Sequence, residues 1–149
     1  MKFTYALLLM LMSGTLFLSS CGDDEVDPNE ALNNRLEGQW EVSSFLGRST
    51  IGVEFMGSLY SNYEMEFEKQ GPDEGEYEFT RFYVDGTSDR IEGDYEIENN
   101  GTELVLMPTN ADLQDEEYDI EIDGDDLELD GVFQVDGSSV RVIVEAERD

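Results

Sequence analysis

This sequence contains few types of side chain that could take part in catalysis or metal binding. The 149 residues include no histidine and one cysteine, Cys21, but 37 aspartates and glutamates. Without histidine, the chain has no Ser–His or Cys–His nucleophilic pair, and one cysteine permits neither an intrachain disulfide nor a thiolate zinc site. Carboxylate pairs of the glycosidase kind remain, but acids are so abundant that the sequence singles out no pair. We therefore expect no enzyme, no catalytic residue and no cofactor.

One acidic segment has the spacing of a calcium loop. Residues 119–125 resemble the start of an EF-hand loop. However, Glu121 stands where Asp or Asn is usual, and Asp130 stands where the bidentate Glu belongs. The segment also alternates like a hairpin, and turn chemistry explains Asp123-Gly124. The sequence therefore predicts a hairpin and no metal site.

The formal net charge of −29 limits the partners of the chain. Such a surface repels nucleic acid, which we exclude as a partner, and it also repels anionic lipid headgroups. High charge can indicate disorder, but here the acids alternate with Tyr, Phe, Ile, Leu and Val. That alternation is typical of half-buried strands.

The N-terminal segment is patterned for export. Lys2 precedes an apolar run over residues 6–18, shorter than the about 20 residues that a membrane-spanning helix needs. Leu18-Ser19-Ser20-Cys21 follows, and it resembles the lipobox of bacterial lipoprotein signal peptides. The resemblance implies cleavage before Cys21 and lipidation of that cysteine. Residues 1–20 are therefore predicted to be a lipoprotein signal peptide.

The resemblance also implies a location. Acyl chains such as palmitate on Cys21 would make the membrane a partner, because each buried methylene contributes about 0.8 kcal/mol. The acidic residues after Cys21 are similar to the tether of Bacteroidota lipoproteins, which in that group can direct export to the cell surface; a solvated linker explains them equally well. We expect an outer-membrane anchor facing the periplasm or the exterior, with residues 21–34 as the lipidated cysteine and linker.

The rest of the chain, residues 35–149, is predicted to be one all-β domain. No helix is expected after the signal peptide. Turn dipeptides such as Asp85-Gly86 separate short alternating segments. Consecutive hairpins favour an eight-stranded antiparallel up-and-down barrel, since closure removes exposed edges. The predicted strands are residues 40–46, 63–68, 76–84, 89–98, 102–107, 116–123, 127–135 and 139–147.

The first strand carries a family resemblance. Leu36-Glu37-Gly38-Gln39-Trp40 resembles the L-x-G-x-W start of lipocalin-like lipoproteins from Bacteroidota. The alternating pattern of residues 93–97 and 100–106 also resembles that family. The sequence has no obvious match to the T-D-Y signature of lipocalins. The resemblance covers roughly residues 36–147 and implies a lipocalin-like barrel.

The resemblance also implies structural roles for Gly38 and Trp40. In lipocalins a basic residue near the last strand covers the tryptophan ring, a cation–π contact. Arg141 and Arg148 are the candidates, and Arg141 is preferred because it lies inside the predicted last strand. These residues are not expected to bind ligand.

A ligand would enter the mouth of the barrel and meet inward side chains. Apolar walls with a few hydroxyls are typical of ligand pockets. The alternative is that the same residues simply fill the core of a small barrel. An inward Arg81 needs a carboxylate or hydroxyl partner, or would bind an acidic group of a ligand. The predicted ligand-binding residues are Tyr63, Met65, Phe67, Tyr77, Phe79, Arg81, Tyr83, Tyr95 and Tyr118.

Two functions remain for the predicted barrel. The first is a noncatalytic, lipid-anchored protein that binds a small, mostly apolar molecule. The alternative is an adaptor or inhibitor that meets a protein partner through its loops and acidic face. Residues 47–58, with Phe55 and Met56, would then form the contact loop.

Overall fold

In the computed structural model, eight antiparallel strands close into a barrel in which each strand pairs with the next and the last returns to the first. The structure describes residues 26–47, 60–135 and 138–149; Cys21, the signal segment, and Phe55 and Met56 lie outside them. The up-and-down barrel predicted from the hairpin pattern is confirmed. The strands are β1 (Gly38–Gly47), β2 (Tyr60–Lys69), β3 (Glu74–Tyr83), β4 (Ser88–Glu98), β5 (Glu103–Pro108), β6 (Glu116–Asp123), β7 (Asp126–Val135) and β8 (Ser138–Arg148).

The alternation of side chains divides each strand into an inner and an outer face. On β6, for example, Tyr118, Ile120 and Ile122 are buried while the acids between them are exposed. Because successive strand residues point to opposite faces, the acidic residues lie on the outer face of the barrel and the apolar residues form one core inside it. Asp123-Gly124 is the β6–β7 hairpin turn, where Gly124 has a φ of 64°.

Three buried tyrosines lie directly opposite glycines across the sheet: Tyr95 faces Gly75, Tyr77 faces Gly93, and Tyr118 faces Gly131. A Cβ on Gly75 would lie 2.6 Å from the ring of Tyr95, and a Cβ on Gly131 would lie 2.6 Å from that of Tyr118. Glycine at these two positions therefore leaves the space that the rings occupy.

One helix corrects the expectation that no helix follows the signal peptide. Helix α1 (Pro28–Leu36) lies largely within the segment predicted as linker. Asp27 caps its N-terminus by accepting a hydrogen bond from the Asn29 amide at 2.9 Å, and Pro28 occupies the first turn. An N-cap aspartate followed by proline is a helix-start signal, but the acidic composition obscured it. No helix within residues 26–47, 60–135 and 138–149 is long and apolar enough to cross a membrane.

Helix α1 defines one end of the barrel, which we call the helix end. It packs against β2, β4 and β6 near the β2–β3, β4–β5 and β6–β7 turns. Leu32 and Leu36 join the core, and the Trp40 Nε1 donates to the Leu36 carbonyl at 2.9 Å. Because the strands are antiparallel, β1, β3, β5 and β7 end, and β2, β4, β6 and β8 begin, at the opposite end of the barrel, which we call the far end.

Candidate ligand site at the far end of the barrel

The predicted ligand residues lie on the inward face of four strands but form two groups. Those toward the helix end are packed into the core. Phe67 contacts Tyr95 with ring centroids 5.5 Å apart and Phe79 at 5.7 Å, both edge to face. These side chains fill the barrel, as the core-filling alternative requires, and Met65 is buried with them. They form a floor beneath the second group. Tyr77, whose ring lies 4.7 Å from that of Phe79, borders the floor and belongs to the second group.

The second group lies nearer the far end and is polar. Tyr63, Arg81 and Asp89 occupy neighbouring positions in one cross-strand row of β2, β3 and β4. The Nε and Nη2 of Arg81 donate hydrogen bonds to the two carboxylate oxygens of Asp89, at 2.8 and 2.6 Å. The Tyr83 hydroxyl donates to the same carboxylate at 2.9 Å. The hydrogen bond from Arg81 lowers the pKa of Asp89. Arg81 therefore meets a carboxylate, as an inward arginine requires.

Across the barrel, β6 contributes a second carboxylate, Glu116. It lies two residues before Tyr118 on the same face, and it accepts a hydrogen bond from the Tyr118 hydroxyl at 2.8 Å. Burial raises the pKa of Glu116, while the Tyr118 hydrogen bond and the charge of Arg81 oppose the rise. Glu116 is thus a carboxylate whose charge is only partly compensated by described residues.

The tyrosine hydroxyls around this carboxylate remain protonated. Burial, followed by the negative charge of Glu116, raises the pKa of both Tyr77 and Tyr118. Each hydroxyl can therefore donate as well as accept a hydrogen bond. Tyr63 packs edge to face on Phe79 at 6.1 Å, which links this polar layer to the aromatic floor.

We call this second group the polar layer; it consists of Tyr63, Tyr77, Arg81, Tyr83, Asp89, Glu116 and Tyr118. Sequence reasoning missed its two carboxylates, Asp89 and Glu116. Both could have been found from alternation, since Asp89 shares a face with Ile91 and Glu116 shares one with Tyr118. They were overlooked because 37 acidic residues make any single one inconspicuous.

The tryptophan contact is made by a different arginine from the preferred one. The guanidinium of Arg148 lies 4.3 Å from the Trp40 ring centroid and donates to the Glu37 carbonyl at 2.8 Å. Arg141, the preferred candidate, instead pairs with Asp130 on the outer face. The last strand runs to Arg148, one residue beyond the predicted end, and that residue falls on the inward face. Gly38, with φ 127°, leaves room for Arg148, because a Cβ there would lie 2.9 Å from the guanidinium.

The outer face is strongly negative. Acids stand directly opposite one another on adjacent strands, an arrangement that is destabilising unless cations intervene. Arg90 relieves one such row by pairing with Glu78 at 3.0 Å and with Glu92 at 2.8 Å. Two rows cross β2, β3 and β4: Glu66–Glu78–Glu92 and Glu68–Glu76–Asp94.

A groove of about 910 Å³ lies beside the segment from Asp112 to Asp119 and the neighbouring part of β7. Leu113 and Val132 are exposed in it, and the carboxylates that line it outnumber its single arginine, Arg141. Despite this density of acids, no group of His, Cys, Asp or Glu in the described ranges has the arrangement of a metal site.

Comparisons with known proteins identify the fold. No protein-family model and no curated protein sequence matches the chain. Among solved structures, the siderocalin Ex-FABP is similar at 13% identity, with 76% of this chain and 74% of that one covered and a TM-score of 0.59. Lobster apocrustacyanin A1 is similar at 15% identity, covering 83% and 69%, with a TM-score of 0.54.

The redesigned β-barrel EF1p2_mFAP2b, solved bound to DFHBI, is also similar, at 14% identity over 83% of this chain and 99% of that one, with a TM-score of 0.55. The siderocalin and crustacyanin are lipocalins, so these likenesses show that the chain has a lipocalin-like β-barrel fold. The helix end, with Trp40 under Arg148, agrees with the arrangement that the resemblance implied.

Proposed function

We propose that this protein binds a small, mostly apolar molecule without catalysis, while acyl chains on Cys21 hold it at the outer membrane. The observation that carries the binding proposal is the polar layer above an aromatic floor inside a closed barrel. Ligand pockets combine apolar walls with a few fixed polar groups in this way. The absence of histidine from the sequence supports a binding role rather than a hydrolytic one.

Binding is tested by native mass spectrometry of the full chain in detergent after incubation with an envelope lipid extract. A reproducible mass increase from a small molecule is the expected result. Replacing the inward, partly buried Ile91 by tryptophan should abolish it by filling the layer. Val132→Trp is the matched control, since Val132 is 63% exposed on the outer face. A protein that stays empty, or loses ligand equally in both variants, would overturn the proposal.

Anchoring has a separate test in cells that express the full chain. Labelled palmitate should be incorporated into the wild-type protein and into the control Ser19→Ala, which keeps a small residue near the cleavage site. Cys21→Ser should lose the label and leave the membrane fraction. Membrane retention of Cys21→Ser would show that the lipobox interpretation is wrong.

A further inference from the structure

The charges of the polar layer do not balance. Arg81 is matched by Asp89 in a two-armed ion pair, and Tyr83 adds a third hydrogen bond to the same carboxylate. Glu116, which lies across the polar layer from this ion pair, adds a second negative charge. Among the described inward residues at this end, one guanidinium therefore faces two carboxylates.

This balance argues against the second alternative for Arg81, in which it would bind an acidic group of a ligand. An incoming carboxylate would have to displace Asp89 from its short contacts with Arg81 and would also meet the charge of Glu116. Like charges at close range in a partly buried site disfavour one another strongly. A cationic group, in contrast, would be attracted by Glu116, whose charge Arg81 compensates only in part.

Glu116 is placed to receive such a group. Its Oε2 accepts the hydrogen bond from Tyr118, while its other oxygen retains acceptor capacity for an N–H donor. Burial is the main cause of the raised pKa of Glu116, which means that its ionised form lacks full solvation. A cation beside it would replace the solvation that burial removes.

The aromatic rings of the layer suit the same chemistry. Tyr118, which donates to Glu116, also interacts electrostatically with Tyr63 and with Tyr77. Ammonium groups are attracted to aromatic faces within about 6 Å of the ring centroid. The tyrosine hydroxyls also supply hydrogen-bond acceptors. The hydrocarbon or aromatic part of a ligand would contact the apolar floor around Phe79.

The whole surface would favour the approach of a cation. The formal net charge is −29, and rows of acids cross the outer face of β2, β3 and β4. A field of one sign raises the local concentration of oppositely charged small molecules and accelerates their association. Selection inside the layer and attraction outside it therefore act in the same direction.

We propose that the polar layer selects ligands that join a protonated amine to an apolar body, with Glu116 as the counter-ion of the ammonium group. This inference rests on the proposed binding function. It makes Glu116 the specificity-determining residue, and it makes the Arg81–Asp89 pair a fixed polar wall rather than a ligand anchor.

The test uses three indole probes of similar size: tryptamine, which is cationic, tryptophol, which is neutral, and indole-3-propionate, which is slightly larger and anionic. Their affinities for the full chain in detergent are measured by isothermal titration calorimetry. Tryptamine is expected to bind at least about tenfold more tightly than tryptophol, a difference of about 1.4 kcal/mol, and indole-3-propionate most weakly.

Two charge-neutralising variants then locate the effect. Glu116→Gln keeps an oxygen that can accept from Tyr118 but removes the charge, so tryptamine should lose its advantage over tryptophol. Glu117→Gln changes the net charge equally on the exposed outer face and should keep the advantage.

Equal binding of tryptamine and tryptophol to the wild-type protein would overturn the amine inference and leave the binding function standing. Loss of the advantage to the same extent in both variants would also overturn it, because the effect would then come from overall charge. If none of the probes binds, the amine inference fails, and the envelope-extract experiment separately decides whether the protein is a binder.

Discussion

Asn33 of the helix and Tyr95 of β4 share a 2.6 Å hydrogen bond in the core, although 62 positions separate them in the chain. Both side chains are 0% exposed. Tyr95 donates its hydroxyl hydrogen to the Asn33 Oδ1. The Nδ2 of Asn33 in turn donates to the carbonyls of Gly71 and Glu74, at 3.1 and 3.2 Å. One asparagine thus ties helix α1 both to the β2–β3 turn and to the barrel interior.

Replacing Asn33 by alanine should therefore destabilise the protein by about 1–3 kcal/mol, the usual cost of leaving buried polar groups unpaired. The measurement is the free energy of unfolding from chemical denaturation. Asn34→Ala is the matched control, because Asn34 is exposed and its side chain accepts a solvent-exposed hydrogen bond from Lys69. Equal losses in the two variants would show that α1 is not held by Asn33.

Gly131→Ala should destabilise the barrel by about 1–3 kcal/mol, because the new Cβ would overlap the buried ring of Tyr118. Thermal unfolding followed by circular dichroism measures the change. Gly71→Ala serves as the control, since the side chain of Glu74, which can move, is what its Cβ would meet. A neutral Gly131→Ala would mean that Tyr118 can shift without cost.

The barrel could be predicted from the sequence because its signals are local. Alternation of apolar and acidic residues marks each strand, and β6 begins and ends where predicted, at Glu116 and Asp123. Helix α1 could not be predicted in the same way, since nine mostly polar residues show little apolar periodicity. Its stability comes from contacts such as Asn33–Tyr95, which connect distant parts of the chain.

The site could be predicted only in part. Alternation placed Tyr63 and Arg81 on the inward face, but it gave no depth along the barrel, so core residues such as Phe67 were grouped with them. Depth depends on how far each strand is displaced relative to its neighbour, and that stagger is a property of the closed barrel. The partner of Arg81 likewise follows from register, which sets Asp89 opposite it.

Arg148→Lys should weaken the helix end, because lysine keeps the charge but loses the planar guanidinium that covers Trp40 and reaches the Glu37 carbonyl. We expect a loss of about 1 kcal/mol and a change in fluorescence, since Trp40 is the only tryptophan. Arg141→Lys, at the exposed pair with Asp130, should change stability by less than about 0.5 kcal/mol and leave the fluorescence as it is. A larger loss of stability and a larger fluorescence change in Arg141→Lys than in Arg148→Lys would show that Arg141 is the residue that covers Trp40.

The stability of the protein should depend on pH through Glu116. Burial raises the pKa of Glu116 in the folded state above its value in the unfolded chain, so the folded state binds more protons between those two values. Stability therefore falls as pH rises through that window, and ionised Glu116 opposes folding at neutral pH. A carboxylate with a lowered pKa, such as Asp89, has the opposite effect, since its contribution is lost as pH falls.

Glu116→Gln should accordingly be more stable than the wild-type protein at pH 7, because it keeps an oxygen that can accept from Tyr118 but removes the partly buried charge. The gain should shrink as the pH falls through the raised pKa of Glu116 toward that of an unperturbed glutamate, because the folded wild-type carboxyl is then neutral as well. Urea unfolding at pH 7 and pH 4 measures both values. Glu117→Gln, on the exposed face, controls for net charge, and a gain equal to that of Glu116→Gln at both pH values would contradict the assignment to burial.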